Sequence, residues 1–192
     1  MRRLLLASSS TYRQALLSRL RLPFECSAPQ IDETAYPNEN PEQLVQRLAY
    51  EKAKALAAGY EDHLIIGSDQ VAVLGQNILG KPHTFERATK QLQACSGKSV
   101  VFMTGLTLLD TRDGSSQTDC ISYTVNFRQL DDDQIERYLK ADQPFDCAGS
   151  FKAEGLGISL FRSTQGTDIT SLVGLPLIRL VEMLDEAGVK VP

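Results

Sequence analysis

Eight residues, Gly75-Gln76-Asn77-Ile78-Leu79-Gly80-Lys81-Pro82, follow the phosphate-cradling pattern G-x-x-x-x-G-K-[ST] until its last position. Such a loop needs a hydroxyl there for Mg²⁺, and backbone N–H groups running into a helix for phosphate. Pro82 has no hydroxyl and no N–H, and it biases Lys81 away from the α region. Val71 to Leu74 and Ile78-Leu79 flank Gly75-Gln76-Asn77, which predicts a short hairpin with a glycine-containing loop. Lys81 is then a lone cation, held stiffly by Gly80 and Pro82, that can still meet a phosphate.

Other stretches suit the same chemistry. The apolar run Leu64-Ile65-Ile66-Gly67 delivers Ser68-Asp69 at its end. Polar residues just beyond a buried strand often face a ligand crevice. An aspartate there also serves as a turn or cap residue. Gly67 suggests a close backbone approach. Asp32-Glu33 offers hard oxygen ligands for Mg²⁺ or Mn²⁺, or is a solvated loop. Lys52 lies four residues after Leu48 and eight after Leu44, on the apolar stripe of a helix, so it either snorkels or reaches into a cleft. Ser8-Ser9-Ser10-Thr11-Tyr12-Arg13 joins a strand to a helix. Hydroxyls and free N–H groups at a helix start make an anion site, to which Arg13 adds a bidentate contact; capping is the other role open to the serines. Three cations, three carboxylates and an anion site are the inventory of metal-assisted phosphoryl chemistry.

The elements that must carry these residues follow from periodicity. Residues 3–8 read as a buried strand and 12–20 as a helix capped by Ser10 or Thr11. Residues 24–28 suit a second strand and 35–41 a polar loop. The clearest helix covers 41–58, with Leu44, Val45, Leu48, Ala49 and Ala53 in one stripe and Gly59 ending it. A strand is expected at 63–68 and a helix at 84–94. Residues 100–109 and 120–127 should pair around Arg112-Asp113-Gly114. A helix with an acidic first turn fits 131–139, a strand 157–161, and an amphipathic helix 175–187. Strands and helices intermix, which predicts an α/β (α+β mixed) fold with a mixed sheet.

Composition narrows the rest. With 192 residues, 42% of them hydrophobic, the chain can build one sizeable domain, 1–192, divided into two lobes by a cleft. A net charge of −4 disfavours stable nucleic-acid binding. Cys26, Cys95, Cys120 and Cys147 form no C-x-x-C and, with His63 and His83, no zinc spacing. The run Leu4-Leu5-Leu6-Ala7 is too short for a signal peptide, and nothing approaches a membrane span. The expectation is a reduced, cytoplasmic protein. The apolar tracts 100–109 and 175–184 suit a homodimer face and core packing equally.

These blocks, in this order, resemble the Maf family of nucleoside triphosphate pyrophosphatases. The family opening L-A-S-x-S-P-R-R stands here as Leu6-Ala7-Ser8-Ser9-Ser10-Thr11-Tyr12-Arg13, its acidic pair as Asp32-Glu33 and its helix motif as Leu48-Ala49-Tyr50-Glu51-Lys52-Ala53. G-S-D stands as Gly67-Ser68-Asp69 and G-K-P as Gly80-Lys81-Pro82. Ala148-Gly149-Ser150-Phe151 and Val173-Gly174-Leu175-Pro176 match later blocks. The resemblance implies an elongated mixed sheet flanked by helices, similar to inosine triphosphate pyrophosphatases, and cleavage between the α- and β-phosphates. It implies Ser8, Ser10, Arg13, Lys52 and Lys81 as phosphate ligands. Glu33, with Asp32, would hold a divalent cation, and Asp69 would activate the attacking water.

The sequence departs from the family opening at Thr11, where proline is usual, and at Tyr12, where arginine is usual. In the family, members acting on dTTP or UTP carry that arginine. Those acting on 7-methyl-GTP carry an aromatic residue, with Gln after G-S-D and Glu after A-G-S-F, which here are Gln70 and Glu154. An aromatic ring stacks on the cationic methylated base with roughly 0.5–2 kcal/mol, and a carboxylate accepts from the guanine N1–H and 2-amino group. Tyr12, Gln70 and Glu154 are therefore the expected specificity residues, and 7-methyl-GTP or a related modified nucleotide the expected substrate. The alternatives are dTTP or UTP, and the role in restraining septum formation that the family has also been linked to.

Overall fold

The computed structural model describes residues 2–191. Among these residues seven strands form one mixed sheet in the order β2-β1-β3-β5-β6-β7, with β4 also on β3. The strands are β1 (Arg3–Ala7), β2 (Phe24–Ser27), β3 (His63–Leu74), β4 (Asn77–Leu79), β5 (Ser99–Asp110), β6 (Ser116–Phe127) and β7 (Phe161–Gly166). The helices are α1 (Thr11–Ser18), α2 (Pro41–Ala57), α3 (Phe85–Cys95), α4 (Asp132–Asp142), α5 (Ile169–Val173) and α6 (Leu177–Glu186). No helix among the described residues is long and apolar enough to cross a membrane.

The chain divides into two compact units. The first comprises Met1–Gln70, Thr104–Ile121 and Asp168–Pro192, and the second Val71–Met103 and Ser122–Thr167. In the first unit β1 runs parallel to both β2 and β3, with Leu6 opposite Cys26 and Ile66. The unbroken apolar run of β1 is buried on both faces, as a central parallel strand requires. Leu4 and Leu6 join Leu16, Leu17, Leu180 and Met183 on one face. Leu5 and Ala7 join Ala53 and Ile65 on the other, beneath α2. Within 175–184, Leu175, Leu177, Leu180, Met183 and Leu184 are buried, whereas Ile178 is exposed.

Two glycines bring α2 down onto the sheet. A Cβ on Gly67 would lie 2.0 Å from the Ala49 carbonyl oxygen, and one on Gly105 would lie 2.1 Å from that of Val45. Only a residue without a side chain permits such contact. Asn40 and Gln43 form a reciprocal capping box at the start of α2, and Pro41 occupies its first turn.

In the second unit β4 pairs antiparallel with the end of β3, Ala72 opposite Leu79, around Gly75 at φ 62°. This is the expected hairpin. Phe102, Phe127, Phe151 and Phe161 meet edge-to-face, with centroid separations of 4.9–5.6 Å. Thr84 and Asp131 cap α3 and α4.

Four readings need correction. The strand expected at 63–68 continues to Leu74, so Asp69 lies within it rather than beyond its end. Residues 157–161 are not a strand: Leu156–Leu160 form a 3-10 turn, and β7 starts at Phe161. Gly157 sits so close to the Lys152 carbonyl oxygen, 2.3 Å from a hypothetical Cβ, that the chain is folded back there rather than extended. Gly59 does not end α2 through a left-handed turn, because Ala58 caps it in the right-handed region. The expected helix 175–187 begins at Leu177, and the short α5 before it was not foreseen.

Candidate active site

The first unit gathers most of the expected residues. Beyond the Leu6–Ile66 pair, β1 ends while β3 continues, so register sets Ser8 level with Ser68. Ser8 is buried, and its hydroxyl accepts from the Ser10 N–H at 3.1 Å. Ser10 caps α1, accepting from the Arg13 N–H. The serines thus do cap and shape the turn. They also set Arg13 on the first turn of α1, where its Nη1 lies 3.5 Å from the Ser8 hydroxyl.

Lys52 is the point of convergence. It is 6% exposed, on the buried stripe of α2. Its ammonium donates to Asp69 Oδ1 at 2.6 Å and contacts Glu33 Oε1 at 2.8 Å. Asp69 is 8% exposed. Alternation along β3 explains the pairing. Gly67 and Asp69 share the face against α2, whereas Ser68 and Gln70 share the other. The close approach at Gly67 brings Lys52 within reach of Asp69.

Glu33 comes from a loop, and its carboxylate is 60% exposed. Arg47, also on α2, anchors that loop. It pairs with Glu39 at 2.6 Å, donates to the Thr34 carbonyl at 3.0 Å, and sits 3.9 Å from the Tyr36 ring centre. Hydrogen bonding from Arg47 holds the Glu39 carboxyl below the usual carboxylate range. Asp32 accepts from the Thr34 N–H at 2.9 Å, closing a local turn, and that contact lowers its pKa.

Burial pushes the Arg13 guanidinium below its ordinary pKa, opposed by the fields of Asp69 and Glu33. Arg13, Lys52, Asp69 and Glu33 therefore act on one another. Gln70 gives its Nε2 to Thr104 Oγ1 at 3.0 Å, the Ser171 carbonyl at 2.7 Å and the Leu172 carbonyl at 3.2 Å. Tyr12 is 38% exposed on α1. Lys81 and Glu154 are exposed and belong to the second unit.

Among the described residues, no group of three or more His, Cys, Asp or Glu side chains is placed to hold a metal ion. Mg²⁺ needs no such cage, since one or two carboxylates plus substrate phosphates are its usual protein site. The exposed Glu33 carboxylate, next to buried Asp69, fits that donor set.

Sequence reasoning gave no role to Ser68 or Gly174. The carbonyl of Gly174 accepts from Arg13 Nε at 2.8 Å and from the Ser68 hydroxyl at 3.1 Å. The available signal was the recurrence of the block 173–176 in the resemblance, which names residues without saying what they touch.

A family described as Maf-like protein matches residues 3–187. The chain is 67% identical to a protein of Pseudomonas syringae pv. tomato named 7-methyl-GTP pyrophosphatase, over 98% of both chains. A protein of the same name from Pseudomonas aeruginosa is 63% identical, again over 98% of both chains. Among solved structures, the Staphylococcus aureus Ham1 protein aligns over 97% of this chain and 99% of its own, with a TM-score of 0.55 and 13% identity, a likeness of fold.

Proposed function

Because this chain belongs to the Maf family, we propose that it is a nucleoside triphosphate pyrophosphatase that converts 7-methyl-GTP to the monophosphate and pyrophosphate. The observation that carries the chemistry is the buried Lys52 ammonium gripping both Asp69 and Glu33 beside Arg13. A buried cation with carboxylates at its side suits an in-line attack in which negative charge moves onto a leaving group. The choice of base rests on the names of the relatives and on Tyr12.

In this reading Asp69 accepts the proton of the water that attacks the α-phosphorus. Lys52 holds that carboxylate in place and, with Arg13, stabilises the charge that collects on the departing pyrophosphate. Ser8 and Ser10 shape the turn that receives phosphate. Glu33, with Asp32, would hold a divalent cation, Mg²⁺ or Mn²⁺. When bound there, such an ion supplies a Lewis acid for phosphate oxygens and acidifies water. Tyr12 stacks on the cationic base. Gln70 acts by holding the backbone at Ser171 and Leu172. Lys81 and Glu154 are the remaining residues the resemblance singles out, and Lys81→Ala and Glu154→Gln test each by itself.

The test is pyrophosphate release from 7-methyl-GTP, GTP, dTTP, UTP and CTP, with Mg²⁺, Mn²⁺ or chelator. Wild type should prefer 7-methyl-GTP and lose turnover with chelator, and Tyr12→Arg should erase the preference. Preference for dTTP or UTP would retain the reaction and discard the role given to Tyr12. No release from any nucleotide would overturn the reading.

A further inference from the structure

At the end of α5 the Gly174 N–H caps the Thr170 and Ser171 carbonyls, at 3.2 and 3.0 Å. Side chains from neighbouring elements of the first unit add further donors there. Gln70 and Thr104 both donate to the Ser171 carbonyl, at 2.7 and 2.9 Å. The carbonyl of Gly174, just past the helix, receives Arg13 Nε at 2.8 Å and the Ser68 hydroxyl at 3.1 Å. Gly174 has φ 118°, a left-handed conformation open to glycine, and a Cβ there would stand 3.6 Å from Arg13 Nε. Ser68 is fully buried on the face of β3 opposite Asp69.

We infer that the Gly174 carbonyl, fixed in place by Ser68, is the device that aims Arg13 at a polyphosphate. A guanidinium has five N–H donors in a rigid plane. Anchoring Nε–H on one carbonyl fixes that plane and leaves most of the fork for anion oxygens. Without the Ser68 hydroxyl the carbonyl loses one of its two donors, and the Arg13 plane loosens. Ser68 is thus a positioning residue that acts through Gly174 on Arg13. It rests on the pyrophosphatase reading only in the identity of the anion.

A double-mutant cycle tests this. Binding of inorganic pyrophosphate is measured by calorimetry for wild type, Ser68→Ala, Arg13→Lys and the double variant, beside kcat and KM for 7-methyl-GTP. Arg13→Lys keeps the charge but has no Nε–H to give Gly174. Ser68→Ala should weaken pyrophosphate binding about threefold to tenfold, the worth of one hydrogen bond, and should have no further effect in the Arg13→Lys background. Equal losses in both backgrounds, or no pyrophosphate binding by wild type, would overturn the inference. If Ser68→Ala does not fold, Ser68→Cys, close in size with a weaker donor, carries the same cycle. Coupled binding with no turnover of any nucleotide would sink the pyrophosphatase reading and spare this one. Turnover with uncoupled losses would do the reverse.

Discussion

Lys52 and Asp69 can be separated by what each loses on substitution. Asp69→Asn keeps a side chain that can face Lys52 but cannot accept the proton of the attacking water. Its kcat should fall by about 10²–10⁴ with a small change in KM, as expected for loss of a general base. Lys52→Met leaves the Asp69 carboxylate buried without its ammonium, so it should also destabilise the protein, by about 3 kcal/mol. Thermal unfolding beside steady-state kinetics distinguishes the two. An Asp69→Asn enzyme with unchanged kcat would remove Asp69 from the reaction. A second pair, away from these residues, should contribute to stability against acid. Arg2 donates to both oxygens of Asp110, one at 2.7 Å, and the two side chains are 13% and 18% exposed. That hydrogen bonding holds the Asp110 carboxyl below the usual carboxylate range. A lowered folded-state pKa contributes stability above the unfolded value, about 3.9, and the contribution disappears as pH falls through the lower folded value. Asp110→Asn should therefore cost about 1–2 kcal/mol at pH 7. The gap to wild type should close below about pH 4, as read by urea unfolding across pH. A gap that persists at low pH would assign the loss to packing instead.

Among the elements, α2 links fold to site most directly. It carries Lys52 and Arg47, and it rests on Gly67 and Gly105 at distances no side chain tolerates. Gly67→Ala places a methyl 2.0 Å from the Ala49 carbonyl oxygen, a backbone atom that can yield only if the helix moves. The expected cost is about 2–3 kcal/mol, or roughly 5–10 °C in Tm for a chain of this size. The same movement draws Lys52 from Asp69, so the folded fraction should also lose turnover. A variant with native Tm and native kcat would refute the contact. Gly67 illustrates what was legible. A glycine before Ser68-Asp69 announced a close approach, and the apolar stripe of α2 announced an inward lysine. The length of β3 was not legible, because Ser68-Asp69-Gln70 interrupts its apolar pattern and looks like a turn. Those polar side chains are accommodated by partners distant in sequence: Lys52 for Asp69, the Gly174 carbonyl for Ser68 and the carbonyls of α5 for Gln70. For the same reason α5 was missed. Five residues are too few for periodicity, and its local caps, Asp168 and Gly174, are supplemented by Gln70 and Ser68, which are distant in sequence.

At the scale of the whole molecule, the two compact units are not two successive stretches of chain. Their border crosses β3 after Gln70, β5 between Met103 and Thr104, and β6 between Ile121 and Ser122. Three twelve-residue strands therefore contribute to both units. Breaking the ladder of such a strand in one unit leaves its other half with frayed backbone partners, and unpaired backbone groups are costly. Neither unit can be cut out without opening three strands. Urea unfolding should accordingly be a single transition. Far-UV circular dichroism and amide exchange should report one midpoint, with Val73 and Val125 of the second unit losing protection at the same urea concentration as Leu6 and Ile66 of the first. If the second-unit amides exchanged first, with first-unit amides and turnover surviving, the shared strands would not couple the units. Lys81 and Glu154 could then be studied on a separately melting unit, apart from Lys52 and Asp69. Coincident midpoints would instead mean that variants such as Gly67→Ala lower the stability of every residue in the chain together, including those far from α2.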